Sequence, residues 1–302
     1  MKRKVIQLAE KTLVVSLPSK WARAYNVRKG DEVEVGEAGS KLTISPQSEL
    51  VEEKTELDVR GLDLEVSRRA LGAIFKAGYD EVNVTFEDMK ELNKIQEVVR
   101  EEFIGFEVMN LGKGSLTAKN ITTPDYREFD AVLKRLFMVI MTMADESLKA
   151  AREKDKEWLN TIIFMDKDVN KYADFCRRIL NKRGYAEFKR TPPVYFIAEQ
   201  LEKIGDGYRD ICKYFLQGKT LGKEGEVLFE SVNGFFREFY DIYYKFELKR
   251  IDQLVLKRRE LKERLERAFG KSAKDELMIL FQLYMVLDNV FDMNGPLMAA
   301  RV

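Results

Sequence analysis

The chain has 302 residues, with 52 Lys+Arg against 51 Asp+Glu and no histidine. Without histidine there is no Ser-His-Asp triad, no Cys-His pair and no His-ligated zinc, so hydrolytic or metal chemistry would fall to carboxylates, lysine or the two cysteines. The net charge of +1 conceals an uneven distribution: residues 1–47 carry 9 basic and 5 acidic side chains (net +4), residues 48–123 carry 10 and 16 (net −6), and residues 124–302 carry 33 and 30 (net +3). At 45% apolar the chain can bury substantial cores, and its length predicts two or three domains. No apolar run approaches the roughly 18–20 residues of a membrane span. The opening MKRKVIQLAE lacks the apolar stretch of a signal peptide, and Cys176 and Cys212 stand in no metal or redox spacing. A cytoplasmic location with no membrane insertion is expected.

The composition shifts predict domain boundaries near Pro46-Gln47-Ser48, where the acidic Glu49, Glu52 and Glu53 follow, and near Thr122-Thr123-Pro124. In the first segment, 1–47, Lys4–Leu8 and Thr12–Leu17 are short β-rich runs, and Pro18 breaks the second. Ser19 reads as the N-cap of a short helix over Lys20–Tyr25. Arg28-Lys29-Gly30-Asp31 reads as a turn with Gly30 at positive φ, and alternating strands follow at Glu32–Val35 and Lys41–Ile44. Such a β-β-α-β-β unit is too small for an independent core without metal or disulfide, and it has neither. A homodimer is the remaining way to bury its apolar faces. Trp21 is expected to pack the helix on the sheet.

The run TLVVSLPSKWARAYNVRKGDEVEV from Thr12 to Val35, closed by SKLTI, resembles the swapped-hairpin AbrB/SpoVT DNA-binding domain. The resemblance implies an intertwined dimer whose basic residues contact DNA. The basic candidates here are Lys2, Arg3, Lys4, Lys11, Lys20, Arg23, Arg28 and Lys29. The plainer reading is that these charges only solubilise a small β domain.

In the second segment, 48–123, TELDVR (55–60) alternates as a strand and Leu64–Ala77 has helical apolar spacing, with Gly78 closing the helix. A strand over 81–86, a helix over Met89–Phe103 and a hairpin of 106–111 with 115–119 complete a βαβαββ order, an α/β layer with its helices on one face. No glycine-rich phosphate loop follows any strand, and Gly112-x-Gly114 is a turn signal. This segment reads as a spacer or a ligand-sensing domain.

From Pro124, an N1-like position after Thr123, the pattern is helical to the end of the chain. Six helices are predicted: one after Pro124 with an apolar stripe from Phe129 to Ala144, one over roughly Lys156–Lys182, one from Thr191 through Phe215 closed by Gly218 and Gly222, and three more near 224–247, 249–269 and 273–294. They read as two three-helix repeats, about 124–220 and 221–302. A shift of 92 residues places Leu159, Ile162, Ile163 and Val169 on Ile251, Leu254, Val255 and Leu261; a shift of 86 places Glu202–Asp206 on Asp288–Asp292. The aromatics of the fourth helix, from Phe235 to Phe246, are expected mainly in the core, with some left for a partner surface.

MADESLKAAREKD (143–155), MDKDVNKY (165–172) and above all LEKIGD (201–206) resemble the PhoU family of phosphate-uptake regulators. The whole chain resembles archaeal regulators of phosphate uptake that join the two modules. PhoU implies metal binding through E/D-x-x-x-D pairs, since carboxylates four apart share a helix face. The match here is Asp166, Glu202 and Asp206, with Asn170 weakening it, and a divalent metal or iron at the Glu202/Asp206 cluster is one reading. An ion-paired carboxylate face is the other. In the second repeat Arg258 and Lys262 stand where that site needs anions, so salt bridges to Asp288 and Asp292 are expected. The fold class expected is multidomain α and β: a swapped-hairpin β domain, an α/β middle and an all-α double three-helix bundle. No catalytic residue is assigned and no enzyme is expected. The expected function is phosphate-responsive transcriptional regulation through DNA. The alternative is a PhoU-type adaptor acting on a phosphate transporter or signalling protein.

Overall fold

A computed structural model describes residues 2–8, 11–38, 41–46, 52–122, 126–185 and 187–302. Gln47, Ser48 and Glu49 at the first predicted boundary, and Thr123 and Pro124 at the second, lie outside these residues, as does the N1 role expected of Pro124. The chain forms two compact units, Met1–Glu53 and Lys54–Val302.

In the first unit, strands β1 (Val5–Leu8) and β2 (Thr12–Val15) pair antiparallel, with Val5 opposite Val15 and Leu8 opposite Thr12. Helix α1 (Ser19–Ala24) follows, then the antiparallel pair β3 (Val33–Ala38) and β4 (Lys41–Pro46). Ser19 is the first helical residue rather than the cap: Pro18 takes the cap position in extended backbone, and no side chain caps the helix. Gly30 has φ 99°, which a side chain rarely adopts. The Trp21 ring lies 5.3 Å from that of Tyr25, one turn along.

The second unit opens with an α/β layer. Strands β5 (Lys54–Asp58), β6 (Glu81–Thr85), β7 (Phe106–Leu111) and β8 (Ser115–Asn120) form one sheet in the order β5-β6-β8-β7, parallel only between β5 and β6. Helices α2 (Leu64–Ala77) and α3 (Met89–Glu102) cover one face. Period-2 alternation sends Val82, Val84, Leu116 and Ala118 inward under them and leaves Asn83 and Thr117 outward, hydrogen-bonded to each other. Asp63 caps α2 by accepting from the Glu65 amide, and Gly78 ends it at φ 105°.

The bundle holds α4 (Tyr126–Glu153), α5 (Lys156–Arg183), α6 (Thr191–Leu216), α7 (Lys223–Tyr244), α8 (Leu248–Phe269), α9 (Lys274–Asp292) and a short α10 (Asn294–Arg301). The packing repeats itself. Helix α6 lies against α4 and α5 as α9 lies against α7 and α8, and the two halves meet through α4 on α7 and α6 on α9. Phe137 of α4 sits among the rings of Phe236, Tyr240 and Tyr243 of α7, all within 6 Å, so most of the aromatics of that helix are core; Tyr244 stays 40% exposed. The sequence reading ended the last helix near 294 and missed α10. Pro296 falls in its first turn, where a missing N–H does no harm. Among the described residues no helix is long and apolar enough to cross a membrane.

The α/β layer is fastened to the bundle by Arg178 of α5, which is 1% exposed. Its guanidinium donates to the carbonyls of Phe75 and Tyr79 at 2.9 and 2.7 Å and to Asp80 at 3.0 Å, and lies about 5 Å from the rings of Phe75 and Phe106. Lys182 completes the pairing of Asp80. Removing one partner of a buried pair strands the other. Arg178→Met is therefore expected to lower stability by about 3–5 kcal/mol, read as a fall in the urea midpoint of the second unit, and Asp80→Asn added to it should recover part of the loss.

Helix α6 approaches its neighbours through glycine. A Cβ at Gly207 would meet a Val286 methyl of α9 at 2.7 Å, whereas one at Gly234 in α7 would meet nothing within 4 Å. Gly207→Ala should destabilise by about 1–3 kcal/mol through overpacking. Gly234→Ala should gain about 0.5–1 kcal/mol from helix propensity. Thermal unfolding of the two variants separates these outcomes.

Candidate functional site

The first unit presents its cations outward. Lys2, Arg3 and Lys4 lead into β1, Lys11 stands at the hairpin turn, Lys20 and Arg23 lie on α1, and Arg28 and Lys29 on the turn before β3; all eight are exposed. Arg3 reaches only the Ser16 hydroxyl at 3.5 Å, Arg23 the carbonyl of Ser19, and Arg28 the Asn26 side-chain oxygen. Asp31 accepts from the Arg28 amide rather than its guanidinium. None of the eight side chains has a carboxylate partner among the described residues.

The apolar residues of this unit are also uncovered. The pairing of β1 with β2 puts Ile6 and Leu8 on one face and Val5, Leu13 and Val15 on the other. Each of these is between 46% and 69% exposed, and no described residue of the unit is buried.

In the bundle the three candidate metal ligands divide between two arginines. Asp166 of α5 and Asp206 of α6 both hold Arg209, which also bonds Asp210 at 3.0 Å. Glu202, one turn earlier on α6, instead pairs with Arg177, which is 3% exposed and also holds Asp174 and Glu199. Burial pushes the carboxyls of Glu202 and Asp206 above their ordinary values, against the opposing pull of Arg177 and Arg209. Two acceptors on α5, Asp166 Oδ1 and Asn170 Oδ1, remain without a donor among the described residues. The carboxylates are thus ion-paired from within, and no group of three or more metal-ligating side chains converges among the described residues. The donor set does not fit a metal ion in this arrangement.

In the second repeat Arg258 pairs with Asp288 at 2.6 Å, as its position predicts, and stacks 4.5 Å over Phe291. Lys262 lies 5.0 Å from the Tyr284 ring centroid and forms no ion pair with Asp292 among the described residues. Cys176 and Cys212 are buried thiols; burial pushes Cys212 up to about 12 and Cys176 further, which leaves neither as a thiolate at neutral pH.

Sequence reasoning missed Arg177, Arg178 and Arg209. A signal existed for the first two, which interrupt the buried run from Ala173 to Leu180, and for Arg209, three residues after Asp206.

Residues 6–50 match the family model described as antidote-toxin recognition MazE, bacterial antitoxin, and residues 133–215 match the model of the PhoU domain. The chain thus combines a MazE/AbrB-type N-terminal segment with a PhoU domain. Among solved structures it is similar to the phosphate transport system regulatory protein PhoU from Streptococcus pneumoniae, at 15% identity and a TM-score of 0.48, covering 59% of this chain and 95% of that one. Comparison with curated proteins gives no match.

Replacing Arg209 removes the internal cation and leaves Asp166, Asp206 and Asp210 facing one another. Arg209→Met is expected to destabilise by about 2 kcal/mol and to acquire a stabilising thermal shift with Mn²⁺ or Zn²⁺. Differential scanning fluorimetry should show no such shift for the wild-type chain.

Proposed function

We propose that the protein is a phosphate-responsive regulator of phosphate uptake that acts in the cytoplasm and binds DNA as a dimer through residues 1–47. The single observation that carries the reading is the set of eight exposed cations on the N-terminal unit, none of which has a carboxylate partner among the described residues. A charge set without carboxylate partners among the described residues suits an array of phosphates, where each contact releases a counterion. The uncovered apolar faces of β1 and β2 support a second copy as the cover, and a dimer doubles the cationic field. The PhoU domain supports phosphate status as the signal. In this reading residues 48–123 and 124–302 relay that signal, and the chain works as a regulator rather than an enzyme.

Duplex binding measured across a salt series tests this. Wild type should bind with a steep salt slope, while Arg3→Ala and Lys11→Ala should each weaken binding across sequences and flatten the slope by about one unit. Wild-type behaviour in both variants would remove the site assignment.

A second reading is supported by the exposed apolar side chains of α9, where Leu277, Met278, Phe281 and Met285 are 37–49% exposed. Such a stripe suits a PhoU-type adaptor docking on a transporter or its signalling partner. Absent or salt-insensitive duplex binding by the full chain would favour it.

A further inference from the structure

At one end of the first repeat, the turn between α4 and α5 meets the turn between α6 and α7. They enclose a cavity of about 460 Å³. Its floor is apolar, formed by Leu148, Leu159, Phe215 and Leu221, and its walls carry Arg152, Lys154, Lys156 and Lys219 against the single carboxylate Glu226.

The four cations are not equally engaged. Arg152 is held by Glu226 and Glu230, both at 2.8 Å, which also neutralises the one acid of the lining. Lys219 lies 5.2 Å from the Tyr214 ring centroid and reaches Asp275 only at 3.9 Å. Lys154 and Lys156 have no ion-pair partner among the described residues. The nearby Asp155 faces its own helix, accepting from the Trp158 amide at 2.9 Å.

Lys154 has a further peculiarity. It adopts φ 56° at the end of α4, a left-handed conformation that glycine or asparagine takes at little cost. A lysine there costs about 1 kcal/mol, and it brings an unpaired ammonium to the cavity mouth. Backbone strain at such a place points to a role for the side chain.

We propose that this cavity binds a phosphorylated small molecule with an apolar ring, of the nucleotide class. The ring rests on the floor of Leu148, Leu159, Phe215 and Leu221, and the phosphates meet Lys154, Lys156 and Lys219. Inorganic phosphate alone would leave the apolar floor wet, and a neutral apolar ligand would leave Lys154 and Lys156 without a counterpart among the described residues. The volume falls within the roughly 300–1,000 Å³ of small-molecule sites. The inference stands on the cavity alone and is independent of DNA binding by the N-terminal unit.

Isothermal titration of the full chain with ATP tests it, with pyrophosphate and adenosine as separate arms. ATP should saturate one site per chain and weaken with salt, and each fragment should bind at least about tenfold more weakly. Lys154→Gly combined with Lys156→Gln removes two charges while relieving the left-handed residue, so the fold is retained; ATP affinity should fall at least about tenfold. Lys149→Gln, on the same helix but outside the cavity, should bind as wild type does. Three results would overturn the proposal: no saturable ATP binding at millimolar concentration, unchanged affinity in the Lys154/Lys156 variant (which would place the nucleotide elsewhere), or a fragment binding as tightly as ATP.

Discussion

A guanidinium sealed from water must find a partner for its donors, and Arg178 meets that demand with groups from a different layer of the protein. Its acceptors are the carbonyl of Phe75 near the end of α2, the carbonyl of Tyr79 and the carboxylate of Asp80, all about a hundred residues away in sequence. Phe75 and Phe106 close over it. The α/β layer and the bundle therefore share one buried charge, and neither can leave without stranding it. The preceding residue, Arg177, gathers Asp174, Glu199 and Glu202 instead. Lys76 of α2 reaches into that cluster at 3.4 Å from Asp174. Two consecutive arginines on α5 thus connect the α/β layer on one side with the carboxylate face of α6 on the other.

That face shows how a duplicated unit diverges. In the first repeat the position just before the second acid of the motif is Gly205, and a Cβ there would meet a Val169 methyl at 2.7 Å, so the backbone of α6 lies directly against a side chain of α5. In the second repeat the same position is Phe291, and Arg258 stacks on its ring while pairing with Asp288. Both solutions supply an internal cation to an acidic helix: Arg209 from within α6 in one, Arg258 from the neighbouring helix in the other.

Much of the fold was legible because local rules and tertiary packing agree. The apolar spacing of Leu64–Ala77 gave α2 to the residue, and its ends carry the side chain and backbone expected of them in Asp63 and Gly78. The strand pattern of the middle layer was read for the same reason. Misreadings fell where one local signal competes with another. Ser19 is a favourable cap but follows a proline already in extended backbone, and Asn294-Gly295-Pro296 looks like a terminator but opens α10. For the site, the basic residues of the first segment are visible as a composition, but that they lack partners is a property of three-dimensional placement. The carboxylates of α6 were visible too. Their arginine partners were missed despite the interrupted apolar run at Arg177 and the spacing of Arg209 from Asp206, because periodicity treats arginine as a surface residue and cannot show that Arg177 is buried.

The two glycines of α6 have one more consequence. Gly205 sets the helix against α5 and Gly207 sets it against α9, on either side of Asp206. A helix pressed on two sides by branched side chains at van der Waals distance has no room to slide along its axis or turn about it without collision. Shear between the repeats is thereby closed off as a mode of motion. Any change of state in the bundle has to proceed by hinging of whole helix pairs about their connecting turns, with α6 as the fixed rail.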